Sequence, residues 1–253
     1  MRLFDAHCHL EDPSFDDDRE EVITRAVRTG VLRMVTSPLG RDQVLRSLKI
    51  FSKNEHVLIS AGMDSREFAN RSKASELISL VREVGDRLVA IGEVGLDYKV
   101  ARTEAERTAQ KEVFREFIRL ADSMNKPLVV HSRWAQRPVL RVLDELYAVD
   151  VVLHSFGGNE TDVKFAAERE WFMSVPTSVT YSANTRKVAR LVPDDLLLLE
   201  TDSPVMSPHR HGRNEPANLV ISVIEVASIR GVNAEELADL TFSNSCRAYK
   251  VIF

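Results

Sequence analysis

The 253-residue sequence has only two cysteines, Cys8 and Cys246, which lie near its opposite ends. A small disulfide-bonded scaffold needs several cysteine pairs, so that class of secreted protein is excluded. No stretch approaches the roughly 20 uninterrupted apolar residues of a membrane-spanning helix, and the N-terminus lacks the basic segment and apolar core of a signal peptide. The sequence therefore predicts a soluble, cytoplasmic protein with no membrane association.

An excess of positive charge is also missing, because 34 Lys and Arg residues face 38 Asp and Glu residues and the formal net charge is -4 at pH 7. A protein that coats nucleic acid through bulk charge is normally basic. Any polyanionic ligand must therefore be bound locally by a few residues. Low-complexity tracts, long flexible linkers and short repeats are absent as well, which favours one globular unit.

What the sequence does contain is an alternation of short apolar runs with longer amphipathic segments. Continuous Val, Ile and Leu runs are typical of parallel strands that are buried on both faces, and each amphipathic segment predicts a covering helix. Eight such units in about 250 residues predict an α/β fold, a single (β/α)₈ TIM barrel over residues 1–253. An open doubly wound sheet is the alternative, although it normally has fewer strands. The predicted strands are 3–6, 32–36, 57–62, 88–93, 127–131, 151–156, 171–175 and 196–202.

The first predicted strand carries two histidines in the segment DAHCHL, residues 5–10. Because side chains alternate along an extended chain, Asp5, His7 and His9 share one face and Cys8 points to the other. Both imidazoles can therefore reach one metal ion. A lone His-x-His pair is more often solvated or packed than ligating, so residues elsewhere in the sequence decide its role.

Four further reactive residues, Glu93, His131, His154 and Asp202, lie at the predicted ends of other strands. Enzymes with this barrel fold build their sites at the C-terminal ends of the strands. Singly, each residue has another explanation, such as a loop carboxylate or a core histidine bonded to backbone. A carboxylate buried beside an apolar run needs a partner or an ion, however. Together with the DAHCHL histidines, these residues predict a metal centre at one rim.

Four histidines and two carboxylates exceed what one tetrahedral ion requires, especially when one position stays open for water. They suit two divalent ions about 3.5 to 4 Å apart that share a bridging carboxylate and a bridging hydroxide. Mixed nitrogen and oxygen ligands are compatible with Zn, Mn or Fe, and less so with an all-oxygen Mg site. The sequence leaves the identity of the two ions open among Zn, Mg and Mn.

Five motifs occur in an order that resembles the TatD family of metal-dependent deoxyribonucleases, a branch of the amidohydrolase-like barrels. They are DAHCHL, GEVGLDY, HSR, HSFGG, and LLETDSP followed by GRNEP, and the resemblance runs from residue 4 to about residue 218. Val205 and Met206 stand where the family usually has an aromatic residue and a leucine, and HSFGG stands where HCFSG is commoner. These departures fall at the expected substrate rim.

The resemblance also implies how the ligands are shared between the two ions. The first ion would be held by His7, His9, Glu93 and Asp202. Glu93 would bridge to the second ion, held by His131 and His154. Many amidohydrolase barrels bridge their metals with a carbamylated lysine on the fourth strand, whereas the carboxylate here needs no modification.

The expected reaction is hydrolysis of a phosphodiester bond. Two ions would lower the pKa of a bridging water enough to supply hydroxide near neutral pH, and would polarise a phosphoryl oxygen. Glu93 and Asp202 are the expected catalytic residues, with Asp202 accepting the proton of the attacking water. Asp5 either orients a metal ligand or serves as a loop or capping carboxylate.

Three basic side chains are candidates to bind substrate phosphate. Arg133 follows the fifth predicted strand, and His209 and Arg213 belong to the cluster HRHGR after the eighth strand. A solvated loop explains that cluster equally well. Tyr98 or Trp134 can stack on a base, although aromatic residues at a barrel rim more often pack against their own loops.

These features together predict a TatD-type deoxyribonuclease, a 3′–5′ exonuclease acting on single-stranded or frayed DNA, with RNA as the alternative polynucleotide. The negative net charge predicts weak retention on long polyanions, which an enzyme that trims ends tolerates. The alternative activity is hydrolysis of a small amide, lactone or cyclic imide, because the same metal pair attacks a carbonyl carbon as readily as phosphorus. A barrel kept only as a protein-binding scaffold would not need the six ligand positions, and no obligate protein partner is evident.

Overall fold

A computed structural model describes residues 1–252, whose eight strands are parallel and form one sheet in the sequential order β1 to β8. The strands are β1 (Leu3–Cys8), β2 (Val31–Thr36), β3 (Val57–Ala61), β4 (Ala90–Asp97), β5 (Leu128–Arg133), β6 (Val151–Leu153), β7 (Phe172–Pro176) and β8 (Leu197–Glu200). The helices are α1 (Arg19–Arg28), α2 (Arg41–Ile50), α3 (Arg71–Val84), α4 (Glu104–Ser123), α5 (Gln136–Glu145), α6 (Glu160–Ala167), α7 (Ala183–Leu191), α8 (Leu219–Arg230) and α9 (Ala234–Ala248). The predicted (β/α)₈ barrel is confirmed, with α9 as an additional helix.

The barrel closes where the end of β8 meets the end of β1. The backbone N–H of Asp202 donates to the carbonyl of His7 at 2.9 Å, and the N–H of His9 donates to the carbonyl of Ser203 at 2.7 Å. These two bonds continue the sheet beyond the last residue of β8. They also bring the Asp202 backbone next to the two histidines of DAHCHL.

The helices cover the barrel through apolar stripes. Thr103 caps the N-terminus of α4: its side chain accepts from the N–H of Glu106, while the Glu106 carboxylate accepts from the N–H of Thr103. The stripe that includes Val113 and Phe117 is buried against the sheet. Complete burial of a side chain such as Phe117 contributes about 1.5 to 3 kcal/mol relative to exposure.

Several predicted strand ends that concern the site differ from the observed ones. The sequence predicts Glu93 at the end of the fourth strand, but β4 continues to Asp97 and Glu93 lies near its middle. His131 does not end the fifth strand either, since β5 continues to Arg133. The sixth strand ends at Leu153, directly before His154, and not at residue 156.

The pairing of β4 with β5 shifts register between Ile91 and Val94. A local irregularity of this kind can change the direction of side chains without ending the strand, so a functional residue does not have to mark a strand end.

Among residues 1–252, no single helix combines the length and the apolar composition required to cross a membrane. Only the bent pair formed by residues 216–230 and 234–248, with an angle of 111° at the break, meets both criteria jointly.

Candidate metal centre

The end of β1 and the residue after it place two imidazoles, His7 and His9, at the C-terminal mouth of the barrel. The Nε2 atoms of His7 and His9 lie 3.2 Å apart. Cys8, between them, is buried on the other face, where its thiol donates to the carbonyl of Val35 at 3.4 Å. The alternation expected from the sequence thus separates the thiol from the two imidazoles.

Asp5 connects β1 to the segment that carries Asp202. Its carboxylate accepts from the N–H of Thr201 at 2.8 Å and from the Thr201 hydroxyl. Burial raises the pKa of the Asp5 carboxyl to about 8, in spite of these hydrogen bonds. Asp5 therefore fixes the position of Thr201, the residue directly before Asp202. This arrangement matches the first of its two expected roles, the orientation of a candidate metal ligand.

Asp202 follows β8 in a left-handed backbone conformation, with a φ of +54°. Its Oδ1 atom lies 3.5 Å from His9 Nε2 and 3.8 Å from His7 Nε2. The left-handed conformation, which Asp tolerates better than most residues, brings the carboxylate to the two histidines directly after the strand.

The two carboxylate oxygens of Glu93 face two different pairs of imidazoles. Oε2 lies 3.3 Å from His7 Nε2 and 3.9 Å from His9 Nε2. Oε1 lies 3.6 Å from His154 Nε2 and hydrogen-bonds with His131 Nδ1. A carboxylate in this position can contact two ions at once.

Two glycines make room for the Glu93 backbone. A Cβ on Gly62, directly after β3, would lie 2.3 Å from the Glu93 nitrogen, which is closer than real Cβ contacts come. Gly92 has a φ of +124°, and a Cβ there would lie 2.2 Å from the carbonyl oxygen of Val129. Only glycine fits either position, so Gly62 and the first glycine of the GEVG motif, Gly92, are required by backbone packing.

The spacing of the donor atoms suits a metal ion. Metal–ligand distances of 2.0 to 2.2 Å imply donor–donor separations of about 3.3 to 3.6 Å in a tetrahedron. The five measured separations among donors of His7, His9, Glu93 and Asp202 range from 3.2 to 3.9 Å. Donor atoms of Glu93, His131 and His154 also lie within 4.8 Å of one another. The residues present therefore fit divalent ions on both sides of Glu93.

The far nitrogen of each DAHCHL imidazole is held by Ser37, just beyond β2. His7 Nδ1 lies 3.2 Å from the Ser37 hydroxyl, and His9 Nδ1 lies 3.0 Å from the Ser37 carbonyl. A proton on each Nδ1 satisfies these contacts. Both Nε2 lone pairs are then free to bind a metal.

The other two imidazoles contact buried carboxylates that are not among the residues predicted from the sequence. Asp97 lies 3.1 Å from His131 Nε2, and Glu200 lies 3.1 Å from His154 Nδ1. His131 therefore presents Nδ1 to the centre and His154 presents Nε2. A signal existed for both carboxylates: Asp97 follows Glu93 at an even spacing in GEVGLDY, and Glu200 ends an apolar run in which a carboxylate needs a partner.

Carboxylates and imidazoles lie close together at the centre, and each shifts the pKa of the other. Burial raises the pKa of the Glu93 carboxyl, but the imidazoles, His154 foremost, outweigh burial and hold it well below its ordinary value. The pKa of Asp202 is lowered in the same way against its burial. Burial lowers the pKa of His154, but Glu200 and Glu93 raise it to about 10. A divalent cation can replace protons on the imidazoles as the counter-charge of these carboxylates.

A cavity of about 490 Å³ opens above the clustered donors and is lined in part by Glu93, His131, His154 and Asp202. Its volume lies within the range of about 300 to 1,000 Å³ that is typical of small-ligand pockets.

The rim of this cavity has basic and apolar parts. Arg133, the last residue of β5, is exposed there, and its guanidinium has no hydrogen bond or ion pair with any residue in 1–252. Trp134, Val205 and Met206 also line the cavity. Of the three basic residues expected to bind substrate, Arg133 is the one that lines this cavity.

The other two lie in the loop between β8 and α8. Arg213 is bound through two parallel hydrogen bonds to Asp18, at 2.6 and 2.7 Å, and its guanidinium lies over the ring of Phe15. His209 is exposed and does not line the cavity. In this conformation Arg213 links the loop to the start of α1, so its charge is already neutralised. Substrate binding by His209 and Arg213 stays a prediction.

Comparisons with known proteins identify the family to which the chain belongs. Residues 4–250 match the family described as TatD related DNase. The chain is 32% identical to an uncharacterized metal-dependent hydrolase of Methanocaldococcus jannaschii, over 99% of this chain and 98% of that one. It is 31% identical to the deoxyribonuclease TATDN3 of Homo sapiens, over 98% of this chain and 94% of that one.

A comparison with solved structures gives the same barrel fold. The crystal structure of the TatD homologue YJJV from Escherichia coli matches with a TM-score of 0.91 at 23% identity, over 99% of both chains. The motif order expected from the sequence, the barrel and the whole-length sequence matches all agree, and the chain belongs to the TatD family of metal-dependent hydrolases.

Proposed function

We propose that the chain acts as one domain, residues 1–253, and hydrolyses phosphodiester bonds as a TatD-type deoxyribonuclease. Its substrate would be the 3′ end of single-stranded or frayed DNA, with RNA as the alternative polynucleotide. The observation that carries this proposal is the unpartnered Arg133 guanidinium on the rim of the cavity above the clustered donors. An unpaired cation there suits a phosphate better than a neutral amide or lactone.

Two divalent ions would be held, one on each side of Glu93. His7, His9 and Asp202 would complete one set of ligands, and His131 and His154 the other. When bound, the ions supply a hydroxide nucleophile near neutral pH and polarise a phosphoryl oxygen. The nitrogen-rich donor set favours Zn or Mn over Mg.

The protein's own residues would orient the substrate and accept a proton. The anionic Asp202 carboxylate, at the floor of the cavity, would take the proton of the attacking water. Arg133 would hold a non-bridging phosphate oxygen by charge-assisted hydrogen bonds. Asp97 and Glu200 would keep the imidazoles of His131 and His154 in the tautomers that ligation requires.

Cavity size and net charge favour trimming of ends over gripping of a duplex. The cavity of about 490 Å³ lies inside the barrel mouth, and the chain carries a formal net charge of -4. Long polyanions are held by many basic contacts, and retention here would depend on a few. A strand end that enters the mouth needs only the local contacts.

The function is tested with protein stripped of metal by a chelator and reloaded with Zn, Mn or Mg. Single strands labelled at the 5′ or the 3′ end are assayed beside a panel of lactones, amides and cyclic imides. We expect metal-dependent, stepwise shortening of the 5′-labelled strand and early release of a labelled nucleotide from the 3′-labelled strand. Turnover of a lactone, amide or imide without any cleavage of strands would instead support the alternative activity.

Arg133→Ala is expected to lower kcat/KM for the single strand by about 10- to 150-fold, because a hydrogen bond to a charged group contributes about 1.5 to 3 kcal/mol. Metal content should stay at the wild-type level, since the Arg133 guanidinium has no hydrogen bond or ion pair with any of the six candidate metal ligands. Steady-state kinetics and elemental analysis of the same preparation provide the two measurements.

Arg141→Ala is the matched control for this variant, because Arg141 is an exposed, unpartnered arginine on α5 outside the cavity lining. An equal fall in metal content on replacing Arg133 would contradict phosphate binding and indicate a structural role. Arg213→Ala in the same assay tests the remaining prediction for the HRHGR cluster, and its pairing with Asp18 predicts the smaller effect.

A further inference from the structure

Trp134 is an exposed indole at the cavity rim. It follows Arg133 directly, and 70% of its surface is exposed. Within residues 1–252, its ring has no aromatic neighbour, no cation over its face and no hydrogen-bonded Nε1. The other tryptophan, Trp171, is 2% exposed and donates its Nε1–H to the carbonyl of Ala148 at 3.0 Å. The indole of Trp171 is therefore buried and hydrogen-bonded, whereas the indole of Trp134 is exposed and has no partner beside the candidate metal centre.

The backbone at Trp134 is also unusual. Its φ is +56°, in the left-handed region that bulky side chains rarely adopt. Residues held in such conformations tend to occur at ligand-binding sites. Ala135 behind it is fully buried and precedes α5, so packing of the neighbouring residues fixes the position of Trp134.

Other aromatic rings near the barrel mouth are already covered. The guanidinium of Arg107 lies 4.5 Å from the ring centroid of Tyr98. Phe68 is buried with its ring 5.7 Å from that of His131. Of the two aromatic residues considered from the sequence as stacking partners, Trp134 is the one whose face is free.

We infer that Trp134 is a stacking platform for an unpaired nucleobase, next to the phosphate that Arg133 contacts. This inference rests on the proposed function and specifies its substrate class. A flat π surface beside an unpaired cation matches the two parts of one nucleotide, its base and its phosphate. A base inside a duplex already stacks on both of its neighbours, so the platform selects a single strand or a frayed end.

Trp134 is also a fluorescent reporter for this subsite, because Trp171 is buried and provides a constant background. Zinc-loaded protein is mixed with hexathymidylate in a stopped-flow instrument, and tryptophan emission is read before turnover. Parallel mixes contain an abasic hexamer with the same backbone charge and a blunt duplex. We expect quenching, and protection from iodide, with hexathymidylate only. Equal quenching by the abasic strand or by the duplex would overturn the inference.

Kinetics provide a second readout. The measured quantity is the ratio of kcat/KM for hexathymidylate to kcat/KM for the abasic hexamer. Trp134→Ala should lower this ratio by about 5- to 150-fold, which corresponds to the free energy of stacking one base on an aromatic side chain. Trp134→Phe, which keeps a flat ring, should restore most of this ratio. Tyr147→Ala is the matched control, because Tyr147 is 90% exposed and lies after α5, away from the mouth. An unchanged ratio in Trp134→Ala would overturn the inference.

The two readouts separate the subsite from the activity. Hexathymidylate-specific quenching without cleavage of any strand would support the stacking platform and contradict the proposed nuclease function. Cleavage with an unchanged ratio in Trp134→Ala would support the nuclease and contradict the platform.

Discussion

Glu93→Gln is expected to remove both metal ions and to reduce the rate of hydrolysis by more than about 100-fold. Replacement of a residue that only orients a metal ligand typically costs about 10- to 100-fold, so the loss expected here is larger. The reason is the position of its two oxygens, one facing His7 and His9 and the other facing His131 and His154. Glutamine keeps the shape of the side chain but replaces one oxygen by an NH₂ group, which cannot bind a metal. One side of the centre therefore loses its shared ligand outright.

The charge lost with Glu93 affects the other side too. Glu93 is buried, and together with Asp202 it supplies the negative charge that faces the imidazoles at the centre of the barrel mouth. A buried cation that loses part of its counter-charge binds much more weakly. The amide side chain of the Glu93→Gln variant would present a neutral oxygen to one side and a hydrogen-bond donor to the other, so neither ion keeps its original environment.

Metal content per chain, measured by elemental analysis after reloading and desalting, tests this prediction. Glu215→Gln is the matched control, because Glu215 is a partly buried carboxylate in the loop before α8 that pairs with Arg25 rather than with an imidazole. The control should keep wild-type metal content and turnover. Loss of a single ion in Glu93→Gln would contradict the bridging role, and far-UV circular dichroism of both variants checks that the barrel is folded.

Much of this centre could be predicted from the sequence because its donors follow the regular geometry of a parallel barrel. Side chains at the C-terminal ends of strands converge whatever their distance in the sequence, so His7 and Asp202, from the first and last strands, could be assigned to one mouth. The alternation of β1 correctly separates Cys8 from the histidines. Regular backbone periodicity is a local property, which a single sequence reveals.

What the sequence did not reveal depends on irregular backbone or on pairing between distant loops. The register shift between Ile91 and Val94, which lies around Glu93 within β4, has no regular period, so the sequence predicts Glu93 at the strand end. The Arg213–Asp18 pair joins the loop after β8 to the loop after β1, and three consecutive aspartates, 16–18, offer no means of choosing the partner. Ser37 contacts His9 through its backbone carbonyl, which every residue has, so the residue type alone does not indicate this contact.

The double variant His7→Ala with His9→Ala is expected to abolish turnover and to lower the metal content from two ions to one. Its removed donors face Glu93 Oε2, and the donors of His131 and His154 on the Oε1 side remain in place. With one set of ligands removed, the protein could no longer hold the pair of ions that would together supply hydroxide near neutral pH. Elemental analysis and the strand-shortening assay on one preparation measure both effects.

The count of ions also discriminates between two arrangements of the same donors. His7, His154 and Asp202 offer donor atoms within 4.8 Å of one another, so one ion bound among these three residues is the competing arrangement. In that arrangement the double variant would lose all metal, as would His131→Ala with His154→Ala. With two ions, each double variant keeps one and only Glu93→Gln loses both. His56→Ala is the matched control, because His56 precedes β3 at the opposite end of the barrel, where its Nδ1 contacts the carbonyl of Leu32, and it should keep the full metal content.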